Sequence, residues 1–128
     1  VIQLESAMGA AIGSIPRARA LHVPRSRFAP VKTTDDLLVV RSDAYQLTSD
    51  GRMRPRFDGP GPVVTLDRDY YKMLPGFEQR FPAGAPSLRR CRRFEVEGDV
   101  TFGAGVVAVG DVRVVGPHHV PDGQVLGG

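Results

Sequence analysis

The apolar positions of the first stretch, Leu4, Ala7, Met8, Ala11, Ile12 and Ile15, fall at the three-, four- and seven-residue steps of a single helix face. Residues 1–15 are therefore expected to form an amphipathic helix with a narrow apolar stripe. Gly9 and Gly13 stand on one face of it. Each lowers intrinsic helicity by about 1 kcal/mol, which close approach of another backbone would offset. Pro16 stops the helix, and residues 20–23 read as a short strand closed by Pro24. A second helix is expected from Thr33 or Thr34: Thr33-x-x-Asp36 has capping-box spacing, and Asp35 and Asp36 suit the positive end of the helix dipole. Leu37, Val40, Ala44 and Leu47 continue one face up to the turn-forming run TSDG at 48–51.

Residues 51–62, GRMRPRFDGPGP, show no apolar period and read as a linker, so a domain boundary is expected there. Past it, VVTLD predicts a short strand. RDYYKMLPGFEQRF predicts one or two helical turns with Tyr71, Leu74, Phe77 and Phe81 as core anchors. LRRCRRFEV alternates poorly at first and ends in a strand. The most regular pattern comes last. Val100, Val106 and Val112 form one series at a step of six, and Val96, Phe102, Ala108 and Val114 form another. Small residues (Gly98, Ala104, Gly110, Gly116) mark the corners. A step of six with small corners is the signature of a hexapeptide-repeat parallel β-helix, three hexads closing one coil. Two antiparallel hairpins are the structural rival, but they do not explain why the spacing holds at six. Pro117 and Pro121 are expected to bracket a loop, with a last strand near residues 124–126.

Composition sharpens this picture. At 128 residues the chain suits one modest domain, or the end of one domain plus a small second one. Gly 15 and Pro 11 favour short strands and turns over long helices. The start at Val1, inside an apparent helix and without a Met, is what a fragment of a longer protein would show. No stretch of 18 apolar residues is present, nor a basic segment followed by an apolar one, so neither a membrane span nor a secretory signal is expected. The single cysteine, Cys91, rules out an internal disulfide and fits a reducing cytoplasm. The net charge of +3 is mild and its bases are interspersed with acids, so no nucleic-acid partner is expected.

The segment VPRSRFAPVK at 23–32 carries Arg25, Arg27 and Lys32 between two prolines, which keep it extended and stiff. Rigid charged loops are common ligand contacts. Other groups read as structural. His118-His119 point to opposite faces of an extended chain and lack a third metal ligand. The run Arg89, Arg90, Arg92, Arg93 is expected at a solvated strand edge or paired with Glu95 and Glu97. Cys91 lies among cations that would lower a thiol pKa, yet has no His or second Cys to make it catalytic. Asp99 and Asp111 occupy equivalent repeat positions and are expected to form turns.

Three stretches together resemble the eukaryotic-type UTP–glucose-1-phosphate uridylyltransferase family, the UDP-glucose pyrophosphorylases. They are IQLESAMGAAI at 2–12, VPRSRFAPVKTTDDLLVVRSDAY at 23–45 and FEVEGDVTFGAGVVAVGDVRV at 94–114. The likeness covers most of the chain, in the family's order. Departures are small: Ala29 where a larger apolar residue is usual, and an Arg-rich linker. The resemblance implies the C-terminal portion of such an enzyme. Residues 1–58 would be an α/β fragment, the end of a Rossmann-like nucleotidyltransferase catalytic domain, and 59–128 a short left-handed parallel β-helix domain. It implies UTP and glucose 1-phosphate as substrates, UDP-glucose and pyrophosphate as products, and Mg²⁺ in the intact enzyme. It also implies a cytoplasmic location and a homo-oligomer through the β-helix. The family's Gly-rich uridine loop and magnesium carboxylates have no counterpart in this sequence, so the isolated chain is expected to be inactive. One position carries over: the lysine of PVKTT, Lys32, would contact substrate phosphate, with Arg25 and Arg27 as candidate substrate-binding neighbours. The competing expectation is an assembly module, a β-helix without catalytic role.

Overall fold

The computed structural model describes residues 12–24 and 30–128, so most of the expected first helix lies outside the described residues. Residues 12–14 form a 3₁₀ turn, and Ile12 and Ile15 are exposed. Residues 20–23 are exposed coil and not the expected strand. A strand needs a partner for its backbone groups, and no described strand pairs with this segment.

Helix α1 (Thr34–Arg41) starts where the capping box places it, with both reciprocal bonds between Thr33 and Asp36 formed. It ends sooner than the apolar spacing predicts. Ser42 donates its hydroxyl to the Val39 carbonyl at 2.7 Å and accepts the Ala44 N–H at 3.2 Å, diverting the backbone from the helix. The buried positions are accordingly Leu38 and Ala44, while Leu47 is exposed. Strand β1 (Tyr45–Leu47) pairs antiparallel with β2 (Met53–Pro55), and the TSDG turn joins them. Thr48 closes that turn through its N–H and hydroxyl on the Arg52 carbonyl, at 2.8 and 2.9 Å. The expected linker is thus half hairpin, and Phe57 beyond it packs edge-on against Tyr45 at 5.4 Å between ring centroids.

The second half opens with β3 (Val63–Leu66), α2 (Arg68–Tyr71) and α3 (Leu74–Arg80). It continues through β4 (Ser87–Glu97), β5 (Val100–Phe102), β6 (Val107–Val115), β7 (His118–Val120) and β8 (Val125–Leu126). One sheet has the order β3-β4-β6-β8, a second pairs β5 with β7, and every pairing in both is parallel. The antiparallel rival is thereby excluded. The chain is α/β, with a parallel sheet. Arg93 lies opposite Asp111, Val100 opposite His118 and Val107 opposite Val125, each pair eighteen residues apart. Residues 118–120, expected in a loop, form β7 because they stack on β5.

The core follows both six-step series. Val96, Val100, Phe102, Val106, Ala108, Val112 and Val114 are all buried, with Phe94 and Val120 extending the two lines. Strand β4 shows why its first half alternates poorly. Two register shifts, between Ser87 and Arg90 and between Cys91 and Arg93, put extra residues on its side of the ladder. Inward positions therefore fall three apart at Leu88, Cys91 and Phe94 before alternation resumes at Val96. Tyr71, Phe77 and Phe81 pack over one end of the core, Phe81 stacked on Phe102 at 4.9 Å. Each such ring buried stabilises by about 1.5–3 kcal/mol. Leu74, expected among them, is 47% exposed. The Tyr71 hydroxyl donates to the Val100 carbonyl at 2.6 Å, so its polar end is not stranded.

Gly98 and Gly116 show what the corners require. Gly98 has φ +75°, a conformation that side chains rarely adopt. A side chain on Gly116 would begin only 2.5 Å from the Asp99 carbonyl oxygen. Asp99 turns the chain between β4 and β5 as expected, and it accepts from Arg80 Nε at 2.9 Å. Asp111 does not form a turn: it lies within β6 and pairs with Arg92 at 2.9 Å.

Hydrogen bonds cross the expected domain boundary. The Asp43 carboxylate accepts from the Ser87 hydroxyl and from the N–H groups of Leu88 and Arg89, at 2.7, 2.9 and 3.2 Å. Asp35 Oδ1 accepts the Leu66 N–H at 3.2 Å.

Candidate functional site

The capping box that starts α1 also fixes Lys32. Asp36 Oδ2 accepts the backbone N–H of Lys32 at 2.9 Å and that of Thr33 at 3.0 Å, together with the Thr33 hydroxyl at 3.0 Å. The Lys32 N–H, ahead of the other donors, holds the Asp36 carboxyl below the usual carboxylate range. Asp36 is thus turned onto the backbone. Its neighbour Asp35 faces the other way, onto the end of β3. Burial raises the Asp35 carboxyl above its ordinary value, against the opposing effect of the Leu66 N–H.

Across from this helix start, Asp67 caps α2. One of its oxygens accepts the Asp69 N–H at 3.0 Å and the other the Gly98 N–H at 2.8 Å. These bonds, that of Gly98 first, hold the Asp67 carboxyl below the usual range. The turn is thereby tied to the corner beneath it. Between the two rims lies a cleft of about 230 Å³, lined by Lys32, Thr33, Thr34, Asp35, Leu66, Arg68, Lys72 and Met73. Three cations surround a single carboxylate. None of Lys32, Arg68 and Lys72 forms a salt bridge among the described residues. Arg68 faces the Asp35 carboxylate and Lys32 that of Asp36 without closing an ion pair. An open cleft with such cations on a braced backbone is suited to phosphate oxygens, which need charge neutralisation and fixed geometry more than covalent help.

A model of the family described as UTP–glucose-1-phosphate uridylyltransferase matches residues 1–108, most of the chain. This chain belongs to the UTP–glucose-1-phosphate uridylyltransferase family. UTP–glucose-1-phosphate uridylyltransferases of Solanum tuberosum and Hordeum vulgare are each 42% identical to it over 98% of its length. It spans 28% of the length of each of those relatives. Among solved structures, a variant of UDP-glucose pyrophosphorylase from Leishmania major in complex with UDP-glucose is 50% identical, with a TM-score of 0.78. That match covers 96% of this chain and 27% of the other. The UDP-glucose phosphorylase of Trypanosoma brucei gives 48% identity and a TM-score of 0.77, over 97% of this chain and 28% of its own.

Within this family member, Lys32 stands in the cleft, while Arg25 and Arg27 lie outside the described residues. Arg68, Lys72 and Met73 are additions that sequence reasoning missed. They reach Lys32 only because Asp35 docks α1 against the end of β3, a contact with no spacing signal. Magnesium prefers several oxygen ligands in octahedral array. The cleft offers the single carboxylate Asp35 among three cations, and no group of three or more His, Cys, Asp or Glu converges among the described residues. These residues do not fit a magnesium site.

The remaining candidates have structural partners. His118 and His119 are exposed on β7, with Thr101 Oγ1 2.9 Å from His119 Nδ1. Arg93 pairs with Glu95 at 3.0 Å as expected, but Glu97 pairs with Arg113 at 2.7 Å. Arg89 and Arg90 line a second cleft, of about 400 Å³, with Arg56, Phe57 and Asp58. Cys91 points into the core, and burial pushes its thiol up to about 11, opposite to the direction its flanking arginines suggest.

Proposed function

We propose that this chain is the C-terminal part of an enzyme that makes UDP-glucose and pyrophosphate from UTP and glucose 1-phosphate, and that Lys32 contacts substrate phosphate. In that reaction an oxygen of glucose 1-phosphate attacks the α-phosphorus of UTP. The α–β phosphoanhydride bond breaks and pyrophosphate leaves with the electron pair. Lys32 supplies a compact cation with three donors toward the phosphate oxygens. The observation that carries the reading is that Lys32 lines a cleft together with Arg68 and Lys72, with its backbone N–H held by Asp36. Arg25 and Arg27, on the same proline-bounded segment, belong to this reading as substrate contacts.

Residues 1–58 are read as the end of the catalytic domain and 59–128 as a short left-handed β-helix. The eighteen-residue offset of β5 with β7, of β6 with β8 and of β4 with β6 from Arg93 on, together with the two buried six-step series, supports the β-helix. The uridine loop and the Mg²⁺ ligands are assigned to the rest of the parent. A cytoplasmic location accords with the lone Cys91. No helix among the described residues is long and apolar enough to cross a membrane. Family membership favours a catalytic parent over a pure assembly module. Homo-oligomer formation through the β-helix edge accompanies that activity in this reading.

Kinetics of the parent enzyme test the assignment. Lys32→Ala should lower kcat/KM on the order of 100-fold, the scale seen when one charge-stabilising donor is removed from a site. A value within twofold of wild type removes Lys32 from the site. The isolated 128-residue chain should give no UDP-glucose; measurable turnover from it overturns the assignment of the uridine loop to the rest of the parent.

A further inference from the structure

We propose that Arg56, Arg89 and Arg90, which line the second cleft, form an anion site that takes the phosphoryl group of a small phosphate monoester. The inference stands whether or not Lys32 contacts substrate phosphate.

The register of β4 creates the site. In a regular strand neighbouring side chains point to opposite faces. The extra residue between Ser87 and Arg90 suspends that alternation, so Arg89 and Arg90 are both exposed between the buried Leu88 and Cys91. The second register shift does the same for Arg92 and Arg93. The two pairs then differ. Arg92 is neutralised by Asp111 and Arg93 by Glu95, at 2.9 and 3.0 Å. Arg89, Arg90 and Arg56 form no salt bridge among the described residues, and Asp58, the one acid of the cleft, closes no ion pair with them. Their mount is braced from one place. The Asp43 carboxylate accepts the Leu88 and Arg89 N–H groups, and the next residue, Ala44, accepts the Arg56 N–H on its carbonyl at 2.8 Å. Arg89 Nε donates to the Arg56 carbonyl at 3.3 Å, which ties two of the arginines together and leaves the terminal nitrogens of Arg89 without a partner among the described residues. Arg90 is held in the ladder opposite Val109.

Charge alone admits any dianion. Three guanidinium groups less the Asp58 carboxylate leave two positive charges, and a phosphate monoester carries about 1.5–2 negative ones at pH 7. Donor number narrows the class. Guanidinium groups bind oxyanions through paired N–H donors, and three of them offer more donors than the two oxygens of one carboxylate accept. A phosphoryl group presents three strong acceptor oxygens in a tetrahedral array, which several forks can share. The organic side of an ester has a wall as well. The Phe57 ring is fixed edge-on against Tyr45, and a side chain on Gly61 would begin only 2.8 Å from it. It sets an apolar surface beside the arginines, in a cleft whose size of about 400 Å³ suits a small molecule.

The test uses the intact parent enzyme with its substrate site saturated by UDP-glucose. Calorimetric titration with phenyl phosphate reads the cleft, with inorganic phosphate and a polyglutamate peptide as comparisons. Arg89→Ala and Arg90→Ala should each weaken phenyl phosphate about tenfold, or about 1.4 kcal/mol. The denaturant midpoint should stay unmoved, because both side chains are exposed. Arg90→Lys keeps the charge without the fork and should recover only part of the loss. Inorganic phosphate, which lacks the ring, should bind more weakly than phenyl phosphate, and equal affinity overturns the assignment to an ester. Phenyl phosphate affinity within twofold of wild type in both alanine variants overturns the inference, as does a wild type that binds none. A peptide that binds as tightly as phenyl phosphate also overturns it and assigns the cleft to protein docking. Lys32→Ala, run alongside, should leave phenyl phosphate affinity within twofold. If it abolishes binding while the arginine variants do not, the probe was held at the substrate site and this inference falls alone.

Discussion

Cys91 shows how a side chain's partners in space override its neighbours in sequence. Arg90 and Arg92 flank it, yet both point outward while the thiol turns into the core and approaches the carbonyl oxygens of Arg93 and Gly110 at 3.2 and 3.4 Å. Burial disfavours the thiolate and raises its pKa to about 11. The folded value lies above the unfolded one, so this contribution to stability is fully present below the unfolded pKa and fades as pH rises toward 11. Iodoacetamide at pH 8 should therefore alkylate the folded chain at least about tenfold more slowly than the urea-unfolded one, where the thiol returns to about 8.5. Equal rates would place the thiol outside the core. The inward turn was not legible in LRRCRRFEV, because the bulges that produce it depend on the facing strand. Arg68 and Lys72 were hidden for a related reason: nothing local ties them to Lys32.

Among the elements, α1 was the most legible at its start and the least at its end. Thr33 and Asp36 announce the cap through side-chain chemistry that acts within four residues, and the structure forms it as read. Thr33→Ala removes one half of the box and should lower unfolding stability by about 1 kcal/mol, read as a shifted denaturant midpoint at unchanged slope. An unmoved midpoint would mean that the cap contributes nothing to the fold. The far end misled because Leu37, Val40, Ala44 and Leu47 keep helical spacing by coincidence. Ser42 breaks the helix through its own hydroxyl, and the TSDG turn then makes a hairpin, which requires β2 as partner. The six-step series was legible because a repeat states its geometry several times. The strand at His118–Val120 was not, since two exposed histidines between prolines give no apolar signal.

At the scale of the whole molecule, the parallel stack leaves β3 and β8 as the edges of its larger sheet. Val125 on β8 is 59% exposed, an apolar side chain on an edge with unpaired backbone groups. If the parent associates through this edge, Val125→Lys should lower its mass in light scattering from an oligomer to a monomer, because a lysine on an edge discourages strand-to-strand contact. An unchanged oligomer mass would place the interface elsewhere, and a monomeric wild type would remove self-association from the reading.

The eighteen-residue offset also limits how the chain's length can change. Past Arg93 and Asp111 the ladder is regular and each residue finds its partner by count, so adding or deleting one residue there without a new bulge would turn the following positions from core to solvent. The corners at Gly105 and Gly123 are different: each faces open space, so extra residues there could loop outward with the count on either side kept. Tolerance to insertion is therefore set by position along the coil, strict where the ladder is regular, and looser at the corners and in the bulged first half of β4.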